Sequence, residues 1–125
     1  MDSPSDSQLD QSFTALAVLS PAGKLIAQGR HTLELRSWRP PAVPLRDLLI
    51  VESRRQVAAD DQLDPDAAGV ALVDVMSVEP WPGSPGMFAW KLANIRPIFP
   101  KLSPLPARGG LYPICLRSLA ESAVT

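Results

Sequence analysis

Proline sets the limits on what this chain can become. Fourteen of its 125 residues are proline, and twelve of these fall between Pro40 and Pro113. Each lacks an N–H donor and clashes with the preceding helical turn, so no long helix fits that stretch. The apolar residues between the prolines instead make a series of short runs of strand length. The apolar share of 46% and charged share of 20% are ordinary for a folded chain. A chain of this length makes one domain and buries roughly two thirds of its unfolded surface, so it needs neither disulfide nor metal to fold.

Residues 1–12, rich in Ser, Asp and Gln, read as a disordered N-terminal tail, and 119–125 as a C-terminal tail. The domain is expected over 13–118. Phe13 to Leu19 is long enough for one buried strand. Ser20 then supplies an N-cap and Pro21 a first helical residue, with Ala22, Leu25 and Ile26 at helical spacing and Gly29 placed to end the helix. His31 to Trp38 alternates as a strand does: Leu33 and Leu35 face one way, Thr32, Glu34, Arg36 and Trp38 the other. Arg39 to Pro44 is a stiff extended loop. Asp47 to Ser53 reads as a central strand, Arg54 to Ala68 as an acidic excursion with room for a helical turn, and Gly69 to Glu79 as the longest strand. Pro80 to Gly86 is a turn cluster, Met87 to Ala93 a fifth strand, and Pro97 to Pro106 an extended proline-rich segment. Gly110 to Leu116 closes as a sixth strand, which Pro113 places at an edge or a bulge. The pattern predicts a mainly β (α+β) domain of five to six strands with one or two short helices, either a small barrel or an open, rolled sheet. Leu33, Leu35, Leu49, Val51, Val73, Phe88 and Trp90 are expected in its core.

The net charge of −1 is unevenly spread. Residues 20–58 carry seven basic and three acidic side chains, residues 59–87 six acidic and none basic, and residues 88–125 five basic and one acidic. If the basic blocks meet, they form a face that attracts phosphates; otherwise the charges are solvated surface. The polar start lacks a secretory signal, no run is long enough to span a membrane, and the single cysteine cannot form an internal disulfide. A cytoplasmic location without membrane attachment is the expectation. Cys115, in an apolar run, is expected to be buried and inert.

One His and one Cys cannot make a structural zinc site, and no phosphate-cradling glycine loop is present, so neither metal nor cofactor is expected. His31 and Glu34 should face opposite ways on a strand. Asp74, in an apolar strand, is expensive to bury alone and is expected to be a satisfied core or barrel-end carboxylate. One constellation remains. Glu34 and Arg36, two apart on one strand face, lie about 6.5–7 Å apart and can address one ligand together. Arg36 offers a planar fork, Glu34 an acceptor or general base, and Trp38 a surface on which a base can stack. The same pair can equally be a structural ion pair.

The segment Gly29-Arg30-His31-Thr32-Leu33-Glu34-Leu35-Arg36 resembles the signature of ASCH domains, Gly-x-Lys-Thr-hydrophobic-Glu-x-Arg. The resemblance continues through Leu48–Val51, Gly69–Val75, Phe88–Leu92 with Arg96-Pro97, and Pro106–Tyr112. It implies a PUA-like β-barrel with the early helix beside it, a cleft next to the signature strand, and RNA or a nucleotide-like ligand as partner. Arg36 and Glu34 would be central in that cleft, with Arg30, His31, Thr32, Trp38 and Arg39 around them and Ser53, Arg54 and Arg55 near the rim. Some relatives are hydrolases of acetylated cytidine or ribonucleases, which makes a small hydrolase with His31 or Glu34 as catalytic base the rival reading. The amidohydrolase relatives carry Lys where this chain has His31 and Thr where it has Glu34, and their more distant Glu has no aligned counterpart. A protein-interaction domain using the proline-rich loops is a third reading. The oligomeric state is left open.

Overall fold

The computed structural model describes residues 11–57 and 63–116. Six strands form one sheet: β1 (Gln11–Leu19), β2 (Leu33–Arg36), β3 (Leu45–Ser53), β4 (Leu63–Pro80), β5 (Phe88–Arg108) and β6 (Leu111–Leu116). Their order is β2-β5-β4-β3-β1-β6, and one helix, α1 (Ala22–Ala27), joins β1 to β2. The domain is mainly β, as expected. No ladder connects β2 to β6, so the described strands make an open sheet and not the closed barrel that the resemblance implied.

The apolar run Leu48–Val51 explains how the sheet is covered. Leu48 and Ile50 join Leu16, Val18, Ile26 and Trp90 in one cluster; Leu49 and Val51 join Ala15, Ala17, Leu105 and Tyr112 in another. Alternate side chains point to opposite faces, so a strand apolar at every position must be covered on both. Helix α1 covers the first face through Ile26. The far part of β5 and the strand β6 cover the second. Of the core residues expected from the sequence, Leu49, Val51, Val73 and Trp90 are fully buried, and Phe88 is half-buried against the first cluster.

Helix α1 starts differently from the expectation. Pro21 holds the cap position, no side chain on the helix itself caps it, and the Lys24 N–H is taken by Glu52 Oε2 of β3 at 2.8 Å. Gly23 permits this approach, since a Cβ there would stand 2.7 Å from Glu52 Cβ. Gly29 ends the turn at φ +74, as its placement predicted.

Two segments that the sequence does not assign to strands are strand. Leu63–Ala68 forms the start of β4, while residues 58–62 of the acidic excursion lie outside the described residues. The proline-rich segment from Pro97 to Pro106 continues β5 without a break. It can do so because β2 pairs with β5 only up to Lys91, leaving the rest of β5 with β4 as its one neighbour. Pro100, Pro104 and Pro106 also fall where the β4–β5 register shifts, so their missing donors interrupt no regular ladder. On β6, Tyr112 and Ile114 point inward. The alternation therefore puts Pro113 at the exposed edge, as expected, and leaves Cys115 exposed, contrary to expectation.

The two basic blocks do not form one face, because acidic β4 lies between β3 and β5. Asp74, buried in β4, ties both neighbours. Its Oδ1 accepts the Asp47 N–H at 3.0 Å and Arg96 Nη2 at 2.8 Å; its Oδ2 accepts Arg46 Nη1 at 3.2 Å and Asn94 Nδ2 at 3.1 Å. Asp47 and Asn94 have positive φ, at 56 and 50, a conformation that Asp and Asn tolerate better than most residues. Asp74 is thus the satisfied buried carboxylate expected, fastening two irregular backbone positions. The Asp47 N–H, helped by Asn94, Arg96 and Arg46, holds its carboxyl below the usual value against the opposing push of burial.

Asp74→Ala should cost about 3 kcal/mol, since it strands the Asp47 N–H and the Asn94 amide and removes the buried partner of two arginines. The folded-state pKa is depressed, so the charge contribution is complete above about pH 4 and is lost as pH falls through the lowered value. Melting temperatures of the wild type should therefore fall more steeply as pH drops below about 4 than those of Asp74→Asn, which has already lost that contribution. Parallel slopes for the two proteins would remove Asp74 from this role.

Candidate functional site

The sheet leaves a gap at one place. Strand β6 pairs with β1 only as far as Leu16, so among the described residues Ala17–Leu19 have β3 on one side and no strand on the other. Strand β2, at the far end of the sheet, pairs with β5 alone. The curl of the sheet brings these two edges opposite one another. Arg36 Nη2 on β2 donates to the Ala17 carbonyl on β1 at 2.8 Å. A cleft of about 490 Å³ lies along this seam, lined by Ala17 and Leu19, by Glu34 and Arg36, and by Trp38 and Arg55 from the flanking loops.

Inside the seam, β2 reverses the burial expected of it. Leu35 is 38% exposed and Leu33 half-buried, while the side chains of Glu34 and Arg36 are only 12% and 22% exposed. The inner face of this four-residue edge strand meets the cleft, where polar groups have partners, and its leucines are left on the other face. Glu34 Oε2 accepts from Arg36 Nε at 2.9 Å and lies 2.8 Å from Arg36 Nη2 in an ion pair. Glu34 Oε1 lies 3.2 Å from His31 Nε2. The expectation that His31 and Glu34 face opposite ways is corrected: His31 precedes β2 and is free of the strand's alternation. Glu34 and Arg36 neutralise each other, and Nη1 of Arg36 has no hydrogen-bond partner among the described residues.

The other residues singled out from the sequence divide. Trp38 lines the cleft and packs edge-on against Trp90, ring centroids 4.9 Å apart, while its carbonyl accepts the Trp90 indole N–H at 3.2 Å. Arg55 lines the cleft as well. Ser53 is no rim residue. It is fully buried, its Oγ 2.7 Å from both Asp64 Oδ2 and the Arg55 carbonyl, and it accepts the Arg55 N–H at 3.1 Å. This bonding fixes the turn that delivers Arg54 and Arg55. The Ser53 hydroxyl, followed by the Asp66 N–H, holds the Asp64 carboxyl below its usual value. Arg30, His31, Thr32 and Arg39 are not among the described residues lining the cleft. Arg30 and Thr32 are exposed, and Arg39 lies 5.3 Å from the Phe88 ring centre. Arg54 lines a neighbouring cavity. Sequence reasoning missed Ala17, which contributes a carbonyl that no side-chain pattern reveals, and Asp64, hidden in an acidic run.

Among the described residues, no group of three or more His, Cys, Asp or Glu is placed to hold a metal ion. No helix among them is long and apolar enough to cross a membrane.

An open six-stranded sheet with a polar cleft between its first two strands defines a small β domain built around a seam. The family model for the ASCH domain matches residues 16–100, more than half of the chain and including both edges of the cleft. The chain belongs to the ASCH domain family. ASCH domains are generally associated with RNA binding. No curated protein matches the chain.

Because Arg36 spans the seam, Arg36→Ala should cost about 2–3 kcal/mol, between the effect of a surface pair and that of a fully buried one. A double-mutant cycle with Glu34→Ala should show a coupling of about 1–3 kcal/mol. Urea unfolding of the four proteins measures it, and additive effects would show that the pair does not hold the seam.

Proposed function

We propose that this protein binds RNA or a nucleotide-like ligand in the seam, the base inside and the phosphate at the mouth. The supporting observation is the division of charge along the cleft. Its floor is the mutually neutralised Glu34–Arg36 pair, and its wall includes Trp38. Arg55, at the mouth, is exposed and makes no ion pair among the described residues. A neutral floor with a free guanidinium nitrogen and a carboxylate acceptor suits the donors and acceptors of a base edge. An unpaired arginine at the mouth suits a phosphate. A hydrolytic role has less support: His31, a candidate base, is outside the cleft lining, and its Nε2 is engaged with Glu34.

Single-stranded RNA should bind with an affinity that weakens with salt. For two to four phosphates neutralised, log K against log salt should slope at about −1.5 to −3. Arg55→Ala should weaken binding about tenfold, as expected for one charged hydrogen bond, and flatten that slope. Fluorescence anisotropy over a salt series reads both. A salt-independent affinity, or an Arg55→Ala protein that binds as the wild type does, would count against a phosphate at the mouth. Acetylated cytidine incubated with the protein should remain intact; turnover would favour the hydrolase.

A further inference from the structure

A second cavity, of about 380 Å³, adjoins the cleft. Arg55 lines both spaces, and Leu19 lines the cleft where its neighbour Ser20 lines the cavity. The two spaces therefore share Arg55 as a common wall and take consecutive residues from the end of β1. Arg54 and Lys101 bring two further cations, and Asp66 and Ser103 bring acceptors and a hydroxyl. The remaining carboxylates at this cavity are committed to the fold. Glu52 caps helix α1 at Lys24, and the buried Asp64 is held by Ser53 and the Asp66 N–H. Arg54, Arg55, Lys101 and Asp66 make no ion pair among the described residues.

A bare anion matches this lining poorly, because the exposed Asp66 would repel it. A group that carries a phosphate and a neighbouring hydroxyl uses all of it: arginine and lysine take the phosphate oxygens, and a carboxylate accepts from the hydroxyl. In a nucleic acid, that hydroxyl is the ribose 2′-OH, the group by which a protein separates RNA from DNA. Resting on the nucleic-acid reading of the cleft, we propose that this cavity holds the sugar–phosphate of the nucleotide adjoining the one seated in the cleft. Arg54, Arg55 and Lys101 contact the phosphate, and Asp66 accepts from the 2′-hydroxyl. The protein then recognises a ribonucleotide chain in preference to a free nucleotide, and RNA in preference to DNA.

Fluorescence anisotropy with a labelled, mixed-sequence single strand of about eight nucleotides, a length typical of small single-strand sites, tests this in ribo and deoxy forms. The wild type should hold the RNA about tenfold more tightly, the scale of one hydrogen bond to a charged group. Asp66→Ala should erase that difference by weakening RNA alone. The double variant Arg54→Ala/Lys101→Ala should weaken both strands by about tenfold or more and flatten the salt slope by about 0.7 for one phosphate. All three side chains are exposed, so these variants should melt as the wild type does. Leu19→Trp, which fills the cleft mouth from an exposed position, reports on the cleft alone. If Leu19→Trp weakens binding while the cavity variants bind as the wild type does, the cleft reading stands and the cavity proposal is overturned. Equal wild-type affinity for RNA and DNA overturns it too. If the wild type binds neither strand, both readings fall.

Discussion

The Arg36 guanidinium stands where a backbone ladder would otherwise close the sheet. Had β2 paired directly with Ala17–Leu19, the strands would lie about 4.8 Å apart and no cleft would exist between them. A side chain bridges the gap instead, bonded to Glu34 on its own strand and to the Ala17 carbonyl across the seam. The planar fork of arginine can serve both partners at once, whereas an ammonium is a point charge. Everything else at the site follows from that span. Glu34 is held in the interior, His31 is drawn toward it, and the space beside them stays open. The stability of the seam and the openness of the cleft therefore share one set of hydrogen bonds.

A comparable economy appears at Asp74. A carboxylate in an apolar strand would be costly alone, yet here it accepts one backbone N–H, one amide and two guanidinium groups. Two of these partners come from residues in left-handed conformations at register shifts on either side of β4. Asp74 thus fastens the strands on either side of β4 through one arginine from each, and the acidic strand lies between the two basic blocks of the sequence, which do not gather into one positive face. At the cavity beside the cleft, Arg54 and Arg55 from one basic block and Lys101 from the other do line one space.

The central strands were legible because their alternation and continuous apolar runs report burial directly. Leu48–Val51 and Val70–Val75 read as core and are core, apart from Leu72, which is half-buried. Strand β2 was legible as a strand but not in its facing: hydropathy assigns Leu33 and Leu35 inward, and only the partners supplied by Ala17 and His31 make the opposite face the stable one. Cys115 illustrates the same weakness, since a run apolar at most positions hides which phase points out. The unbroken course of β5 escaped notice because proline argues against a ladder, and the register shifts that accommodate it depend on β4. Glu34, Arg36 and Trp38, which line the cleft, stand out in the sequence by spacing and resemblance. Ser53 was misplaced because a serine beside two arginines looks exposed until Asp64, eleven residues on, is seen to reach it.

The prolines of β5 have one more consequence. An open sheet has unpaired edges, and an unpaired edge is a template on which another chain can zip and polymerise. Here β2 is only four residues long, β6 carries Pro113, and the overhang of β5 carries Pro97, Pro100, Pro104 and Pro106. A neighbouring strand meeting that overhang finds donors missing and the register broken, so it cannot propagate a cross-β stack. The residues that forbade a long helix at the outset thus also withhold a regular row of donors from any strand that would extend the open sheet there.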